Sequence, residues 1–238
     1  PYKSQHALEF LTNSLKELNK ELQEQGGKLH IFFDEPENVL HTLSKETTID
    51  AIYVNEDYTP YSRKRDTTLQ QTCAALHIAF HSHEDMLLTS PRDVSKGDGN
   101  PYTVFTPFSR KARLFPIPSV QPLPKASFVT ATFSSEEEHE AIFHKLVPET
   151  NPHLFKKGGR QEALAILQSM QSLRNYEEDR DIPAKAGTSG LSAHHKFGTI
   201  SIRETFWMAR ECFAIDHPFI SQLYWRDFFH HIAFHFPK

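Results

Sequence analysis

Short apolar segments alternate with helix-like segments through the first third of this 238-residue chain. Residues 28–33, 51–54 and 78–81 read as strands, and residues 37–44 and 65–76 read as the helices between them. Strands that alternate with helices at this spacing form parallel βαβ units, which predicts a doubly wound parallel sheet. Open sheets of this class usually contain more than three strands, so we expect that the first strand of the domain is missing from the N-terminus.

The pattern changes in the middle of the chain. Residues 114–124 contain four prolines, which is too many for a helix or a central strand. After Gly159 no strand-like alternation occurs, so the last part of the chain is predicted to be all-helical. We therefore place an α/β domain at residues 1–115, a connector at 116–159 and the beginning of an all-α domain at 160–238.

Composition restricts the class of protein only weakly. The net charge of −4 gives no overall nucleic-acid signal, although residues 151–238 carry more Lys and Arg than Asp and Glu. Two distant cysteines, Cys73 and Cys212, indicate reduced thiols rather than a disulfide framework. Since no signal peptide and no run of 18 apolar residues is present, we expect a soluble cytoplasmic protein without a membrane partner.

A glycine followed by two hydroxyl residues, Gly187, Thr188 and Ser189, is typical of a helix start. Free backbone N–H groups and hydroxyls at such a start can bind a phosphate or another anion. Gly198 is expected to end this helix, and Ser201 is expected to cap the next one.

A second polar feature lies on a predicted helix near the C-terminus. Gln222, Trp225, Arg226 and Phe229 fall at i, i+3, i+4 and i+7, so they share one helix face. An amide, an indole and a guanidinium on one face can hydrogen-bond a base edge, stack on it and hold an anion. Amphipathic helices with a tryptophan are also common in ordinary cores, so the pattern alone leaves both interpretations open.

Three histidines follow on the same helix, His230, His231 and His235. The spacing of the last two suits a metal ion, but no cysteine or carboxylate lies at ligand spacing within the same turn. We therefore predict helix histidines that are partly buried or solvated, and no metal site.

Four segments of the sequence resemble the DNA photolyase/cryptochrome family. YEEDRDIPAKAGTSGLSAHHKFGTISIRE at 176–204 and QLYWRDFF at 222–229 are similar to the flavin-binding half of the family. NEDYTPYSRKRD at 55–66 and NPYTVFTPF at 100–108 are similar to motifs of its N-terminal domain. The segments occur in the order that the family has, and they extend over nearly the whole chain.

The resemblance implies a site residue by residue. The implied contacts to FAD are Tyr176, Thr188, Ser189, Gly190, Leu191, Ser192, Phe219 and Arg226. The implied contacts to DNA are Arg180, Gln222, Trp225, Arg226 and Phe229, with Trp225 stacked on an extruded lesion. Tyr61 and Ser62 occupy the position that an Asn-Glu pair has in members that use folate as an antenna pigment. A second chromophore of folate or deazaflavin type is therefore expected, with its identity open.

The implied activity is light-dependent repair of pyrimidine dimers, with an electron passed from reduced FAD to a flipped-out dimer in DNA. We favour the cyclobutane dimer as substrate and a monomeric carbon–carbon lyase as the enzyme. Gln222 stands where many cyclobutane-dimer photolyases have Glu, so a six-four photolyase or a cryptochrome-type photoreceptor is the alternative. His195 stands where an apolar residue is typical, and the sequence gives no reason for it.

The flavin domain of the family extends well beyond the segments matched here. We therefore expect the chain to be a fragment that binds FAD poorly and performs no repair by itself, and we expect the electron-transfer residues to lie outside it. Trp207 matches no part of the family's tryptophan chain and is predicted to lie in the core.

Overall fold

The structure, a computed structural model, describes residues 4–122, 126–128, 131–147 and 151–237. The strands are β1 (Ala51–Asn55) and β2 (Ala79–His83). The helices of the first part are α1 (Gln5–Glu24), α2 (Pro36–Glu46), α3 (Pro60–Ala75), α4 (Phe105–Ala112) and α5 (Glu136–Leu146). Those of the second part are α6 (Arg160–Gln168), a 3-10 helix (Met170–Asn175), α7 (Tyr176–Asp179), α8 (Ser192–Phe197), α9 (Ile202–Cys212) and α10 (Pro218–His235).

The β1–α3–β2 segment forms the predicted parallel unit. The two strands pair in register from Ala51 opposite Ala79 to Asn55 opposite His83. Buried side chains on α2, on α3 and at the residue before β2 form a small core beneath the sheet, namely Leu40, Leu69, Cys73 and Ile78. The fold class of an α/β part followed by helices is confirmed, and both cysteines are free thiols.

The prediction of a strand at residues 28–33 is wrong. In the structure this segment is extended but has no strand neighbour among the described residues. Its backbone bonds to side chains instead, since Leu29 N donates to Asn19 Oδ1 at 3.0 Å and Phe33 N donates to His139 Nδ1 at 3.0 Å. A strand is defined by its ladder partner, which an apolar run cannot supply alone. Pro124, within the proline-rich stretch, lies outside the described residues.

Several boundaries differ from the expected ones. Thr106 followed by Pro107 is typical of an N-cap and first helical residue, but α4 begins at Phe105 and Thr106 lies within its first turn. The apolar residues between positions 160 and 170 predict a helix as far as Met170, but α6 ends at Gln168 and a 3-10 helix begins at Met170. Helix ends depend on local capping contacts as well as on periodicity, so errors of this size are expected.

Two side chains lie in the opposite environment to the predicted one. Three successive glutamates, Glu136–Glu138, are typical of a solvated helix start, but Glu136 is buried and bonds to Lys28 and His30. Trp207 was expected in the core, but it is 39% exposed and its indole Nε1 donates to the Pro118 carbonyl at 2.9 Å. In both cases a partner distant in sequence satisfies the polar atom and decides where the side chain lies.

A buried carboxylate joins α10 to the segment that follows β2. Asp227, 1% exposed, accepts hydrogen bonds from Leu88 N at 3.3 Å, from Thr89 N at 2.9 Å and from Thr89 Oγ1 at 3.1 Å. Burial raises the pKa of Asp227 to about 7, although these hydrogen bonds oppose the rise. The neighbouring Arg226 donates to the Met86 carbonyl. Two successive side chains therefore attach α10 to the same loop.

The C-terminal end of α10 contacts the same region through an aromatic ring. Phe234 lies edge-on to the buried Tyr58 at 5.7 Å between ring centroids. The guanidinium groups of Arg63 and Arg92 lie 5.3 and 5.4 Å from the Phe234 ring centroid. Helix α10 is thus attached to the α/β part along its length.

The change Asp227→Ala is expected to reduce the free energy of unfolding by about 2–4 kcal/mol, because it leaves two buried N–H donors without an acceptor. Asp216→Ala, at an exposed position just before α10, should change it by less than about 0.5 kcal/mol. Urea denaturation followed by circular dichroism measures both values. Equal midpoints for the two variants would contradict the role assigned to Asp227.

Candidate functional site

A cavity of about 580 Å³ lies between residues 188–192 and one face of α10, and we call it the loop–helix cavity. Its lining combines hydroxyls, aromatic rings, an amide and a guanidinium. The lining residues are Tyr176, Thr188, Ser189, Gly190, Leu191, Ser192, His195, Phe219, Gln222, Leu223, Trp225, Arg226, Phe229 and His230.

The cavity brings together nearly all of the residues that sequence analysis singled out. All eight expected FAD contacts line it, as do four of the five expected DNA contacts. The exception is Arg180, whose guanidinium lies 5.8 Å from the Tyr176 ring centroid and whose Nε lies 3.6 Å from Asp181 Oδ2. The loop and the helix face are therefore adjacent in the fold, although about thirty residues separate them in sequence.

The hydroxyl-rich segment is a loop and not the helix start that the sequence predicted. Helix α8 begins only at Ser192, and Gly187 precedes it by five residues. A Cβ at Gly187 would lie 2.5 Å from the Asp179 backbone, so glycine is required for this close approach. Gly190 adopts a left-handed φ of 68°, which favours glycine as well. The hydroxyls of Thr188 and Ser189 therefore lie in a loop, and Ser192 is the first residue of α8.

The helix boundaries expected after this loop are confirmed. Gly198 ends α8 in the left-handed conformation with φ of 70°. Ser201 caps α9 in a reciprocal capping box, in which its own backbone N–H donates to Glu204 at 3.0 Å. Arg160 pairs with the same Glu204 carboxylate at 2.6 Å, which joins the start of α6 to the start of α9.

Trp225 is held in place by aromatic neighbours. The Phe105 ring stacks on the indole at 3.8 Å with an interplanar angle of 9°, and Phe229 follows at 5.6 Å on the same helix. Phe229 itself is 63% exposed at the mouth of the cavity. The sequence gives no sign that Phe105 contacts Trp225, since no local signal connects residues 120 positions apart.

His195 and Arg226 separate the loop–helix cavity from a neighbouring cavity of about 380 Å³, because both side chains line both cavities. His195 Nε2 lies 2.9 Å from Thr205 Oγ1. Burial, followed by the positive charge of Arg226, lowers the pKa of His195 to about 4. The imidazole is therefore neutral at pH 7, which explains how a histidine occupies a position where the family has an apolar residue.

The histidines at the end of α10 form contacts within the protein. His230 Nδ1 lies 2.9 Å from the Arg226 carbonyl, and His235 Nε2 lies 3.0 Å from the Pro91 carbonyl. His231 is buried, with its ring centroid 4.5 Å from that of His235. Across the described residues, no group of three potential metal ligands is found. No helix among the described residues is long and apolar enough to cross a membrane.

Tyr61 and Ser62, the positions compared with the family's antenna site, lie in the first turn of α3. Tyr61 is 68% exposed, whereas Ser62 is buried and accepts a hydrogen bond from Thr59 Oγ1 at 2.8 Å. Two cavities open at the end of β1, and both are lined by Glu56 and Asp57. Neither of these two cavities includes Tyr61 or Ser62 in its lining. An antenna pigment at those two residues stays a prediction.

Comparisons with known proteins support the resemblance to photolyases. The family model for DNA photolyase matches residues 2–126. Deoxyribodipyrimidine photo-lyases from a Synechococcus species and from Agrobacterium fabrum are both 31% identical over 96% of this chain, which covers 51% and 50% of their lengths. The chain thus spans about half the length of the photolyases that it matches.

Solved structures give the same result. A bacterial class III photolyase from Agrobacterium tumefaciens superimposes with a TM-score of 0.87 and 29% identity, over 98% of this chain and 51% of that one. An archaeal photolyase from Sulfolobus tokodaii, solved with two FAD molecules, gives a TM-score of 0.78 and 32% identity over all of this chain and 50% of that one.

An NMR titration of the histidine ring protons should place the midpoint of His195 near pH 4, because the buried imidazole is neutral in the folded chain. The folded pKa lies below the usual value of 6.5, so the unfolded chain binds a proton first. The stability that the neutral ring confers is therefore present above pH 6.5 and is lost as the pH falls toward 4. A midpoint near 6.5 would contradict this assignment.

Proposed function

Because the chain belongs to the DNA photolyase family, we propose that it contributes the flavin- and lesion-contacting surface of a light-dependent lyase that repairs pyrimidine dimers in DNA. The observation that carries the proposal is the loop–helix cavity, which gathers all eight expected FAD contacts and four of the five expected DNA contacts. The photolyase relatives support the same reaction class.

The lining of the cavity suits a flavin nucleotide. Its volume of about 580 Å³ lies in the range of small-molecule sites. The hydroxyls of Thr188 and Ser192 and the left-handed Gly190 offer donors and a close backbone approach for a diphosphate. Tyr176 and Phe219, in edge-to-face contact at 5.5 Å, place two aromatic rings beside them, and the Tyr176 hydroxyl can donate to the diphosphate. When bound, reduced FAD would supply the photoexcited electron that dimer cleavage requires.

The face of α10 suits a base that has left the duplex. The crosslinked carbons of a dimer cannot approach a flavin inside stacked DNA, so the lesion must be flipped out. Trp225 offers a ring that Phe105 already holds in one plane, and stacking on such a ring needs little reordering. Gln222 offers two donors and one acceptor to a pyrimidine edge. Arg226 adds a positive charge at the junction of the two contact sets.

We propose the cyclobutane dimer as the substrate. The Gln222 amide can hydrogen-bond a thymine edge. Unlike the Glu that many cyclobutane-dimer photolyases have at this position, the amide cannot act as an acid or carry a negative charge, so the six-four lesion is the alternative substrate. A cryptochrome-type photoreceptor would keep the flavin site and lack the lesion preference. Comparing the affinities for oligonucleotides that contain each lesion, or neither lesion, separates these three possibilities.

Binding of a dimer-containing oligonucleotide should depend on Trp225 and not on Trp207. Loss of base stacking predicts that Trp225→Ala reduces the preference for damaged over undamaged DNA by about tenfold. Trp207→Ala is the matched control, because Trp207 lies on α9 outside the cavity and bonds to Pro118. Fluorescence anisotropy measures both variants. If wild type shows no preference, or both variants lose it equally, the lesion-binding proposal is wrong.

Equilibrium binding of FAD should depend on the Tyr176 hydroxyl. We expect Tyr176→Phe to weaken FAD binding by roughly three- to tenfold, since one hydrogen bond to a charged group is lost. Tyr53→Phe, on the exposed side of β1, should leave it unchanged. Quenching of flavin fluorescence measures the affinities. Retention of FAD after gel filtration is expected to be low, and stoichiometric absorbance at 450 nm in that fraction would contradict the expected weak binding.

A further inference from the structure

A larger cavity of about 740 Å³ lies between the start of α1, residues 153–156 and α8, and we call it the basic cavity. It shares Thr188, Gly190 and Ser192 with the loop–helix cavity, and its other walls are different. Those other walls are His6, Ala7, Phe10, His153, Leu154, Phe155, Lys156, Ala193, Lys196 and Phe197.

Aromatic rings form much of this wall. Phe10 stacks on Phe197 with 5.1 Å between ring centroids and an interplanar angle of 27°. Phe155 lines the basic cavity but is 84% exposed. An exposed ring does not gain the free energy of burying its apolar surface. A planar ligand that stacked on Phe155 would bury that surface and gain this free energy.

All of the ionisable side chains that line the basic cavity are basic. Lys156 and Lys196 line it together with His6 and His153, and no Asp or Glu does. Within the described part of the chain, neither lysine forms an ion pair. A carboxylate partner neutralises much of a lysine's charge within the protein. The charges of these two lysines remain available to neutralise an anionic ligand.

The position of Lys156 brings its charge beside the shared loop. A Cβ at Gly190 would lie 2.2 Å from Lys156 Cε and 3.0 Å from its Nζ, so the lysine side chain packs directly on the glycine. The same ammonium lies 5.2 Å from the Phe155 ring centroid. An aromatic surface, an ammonium and the hydroxyls of Thr188 and Ser192 thus meet at one wall.

We propose that the basic cavity binds a planar aromatic ring that carries a phosphate group, of the kind found in a nucleoside monophosphate. The ring would lie against Phe155 and the phosphate against Lys156 and the loop hydroxyls. The volume suits a ligand of this size. This site shares Thr188, Gly190 and Ser192 with the flavin site proposed above, whereas Phe155 and Lys156 line the basic cavity and not the loop–helix cavity, so AMP binding does not require the chain to bind FAD.

Calorimetric titration of the purified chain with AMP tests the proposal. We expect AMP to bind, and we expect Lys156→Gln to weaken AMP by fivefold or more while leaving the weaker binding of adenosine unchanged. Lys157→Gln is the matched control, because Lys157 is the next residue, is exposed and does not line the cavity. Phe155→Ala should weaken AMP and adenosine alike. A parallel titration with FMN distinguishes a flavin phosphate from a nucleotide as the preferred source of the ring.

The outcomes separate this site from the loop–helix cavity. Equal AMP affinity in wild type and Lys156→Gln overturns the proposal, and so does the absence of AMP binding at millimolar concentration. Weakening by Arg226→Ala together with an unchanged Lys156→Gln would place AMP in the loop–helix cavity and also overturn it. If wild type binds AMP but not FAD, the basic cavity is supported independently of the flavin site.

Discussion

The geometry of the candidate site depends on the buried carboxylate of Asp227. Each residue of an α-helix is rotated by about 100° from the one before it, so anchoring one side chain sets the direction of all the others. Asp227 accepts its hydrogen bonds from Leu88 and Thr89, and Arg226 donates to Met86 one residue earlier. These contacts fix the rotation of α10, and they direct Gln222, Trp225 and Phe229 toward the loop at 188–192.

The other wall of the site is constrained by glycine. Gly187 approaches the Asp179 backbone so closely that no side chain would fit, and Gly190 needs a left-handed conformation. The segment therefore leaves helical geometry and folds back as a loop beside α10. As a loop, it borders two cavities, and Thr188, Gly190 and Ser192 line both. A ligand in one cavity would touch the residues that border the other.

Burial influences which ionisable groups around the site are neutral and which are charged. Burial keeps His195 neutral by lowering its pKa, and it raises the pKa of Asp227 toward neutrality. Arg226 remains the cation between them, although its burial lowers its pKa from the usual value. Placing a neutral histidine beside this guanidinium avoids a second buried positive charge. The histidine that the sequence could not explain is thus compatible with the charge of its neighbour.

The sequence by itself determined the features that depend on backbone dihedral angles and on periodicity. The helix face of Gln222, Trp225, Arg226 and Phe229, the stop at Gly198 and the cap at Ser201 all follow from residues a few positions apart. The resemblance to photolyases added the identity of the loop residues, and the structure brings them to one cavity.

Only the tertiary structure decided which distant residues meet. The Phe105–Trp225 stack and the Asp227–Thr89 bond join residues more than a hundred positions apart, and no local pattern encodes them. Residues 28–33 show the same dependence on distant partners. An apolar run becomes a strand only when a neighbouring strand supplies its hydrogen bonds. Local geometry is set by each residue and its near neighbours, whereas burial and pairing are properties of the packed whole.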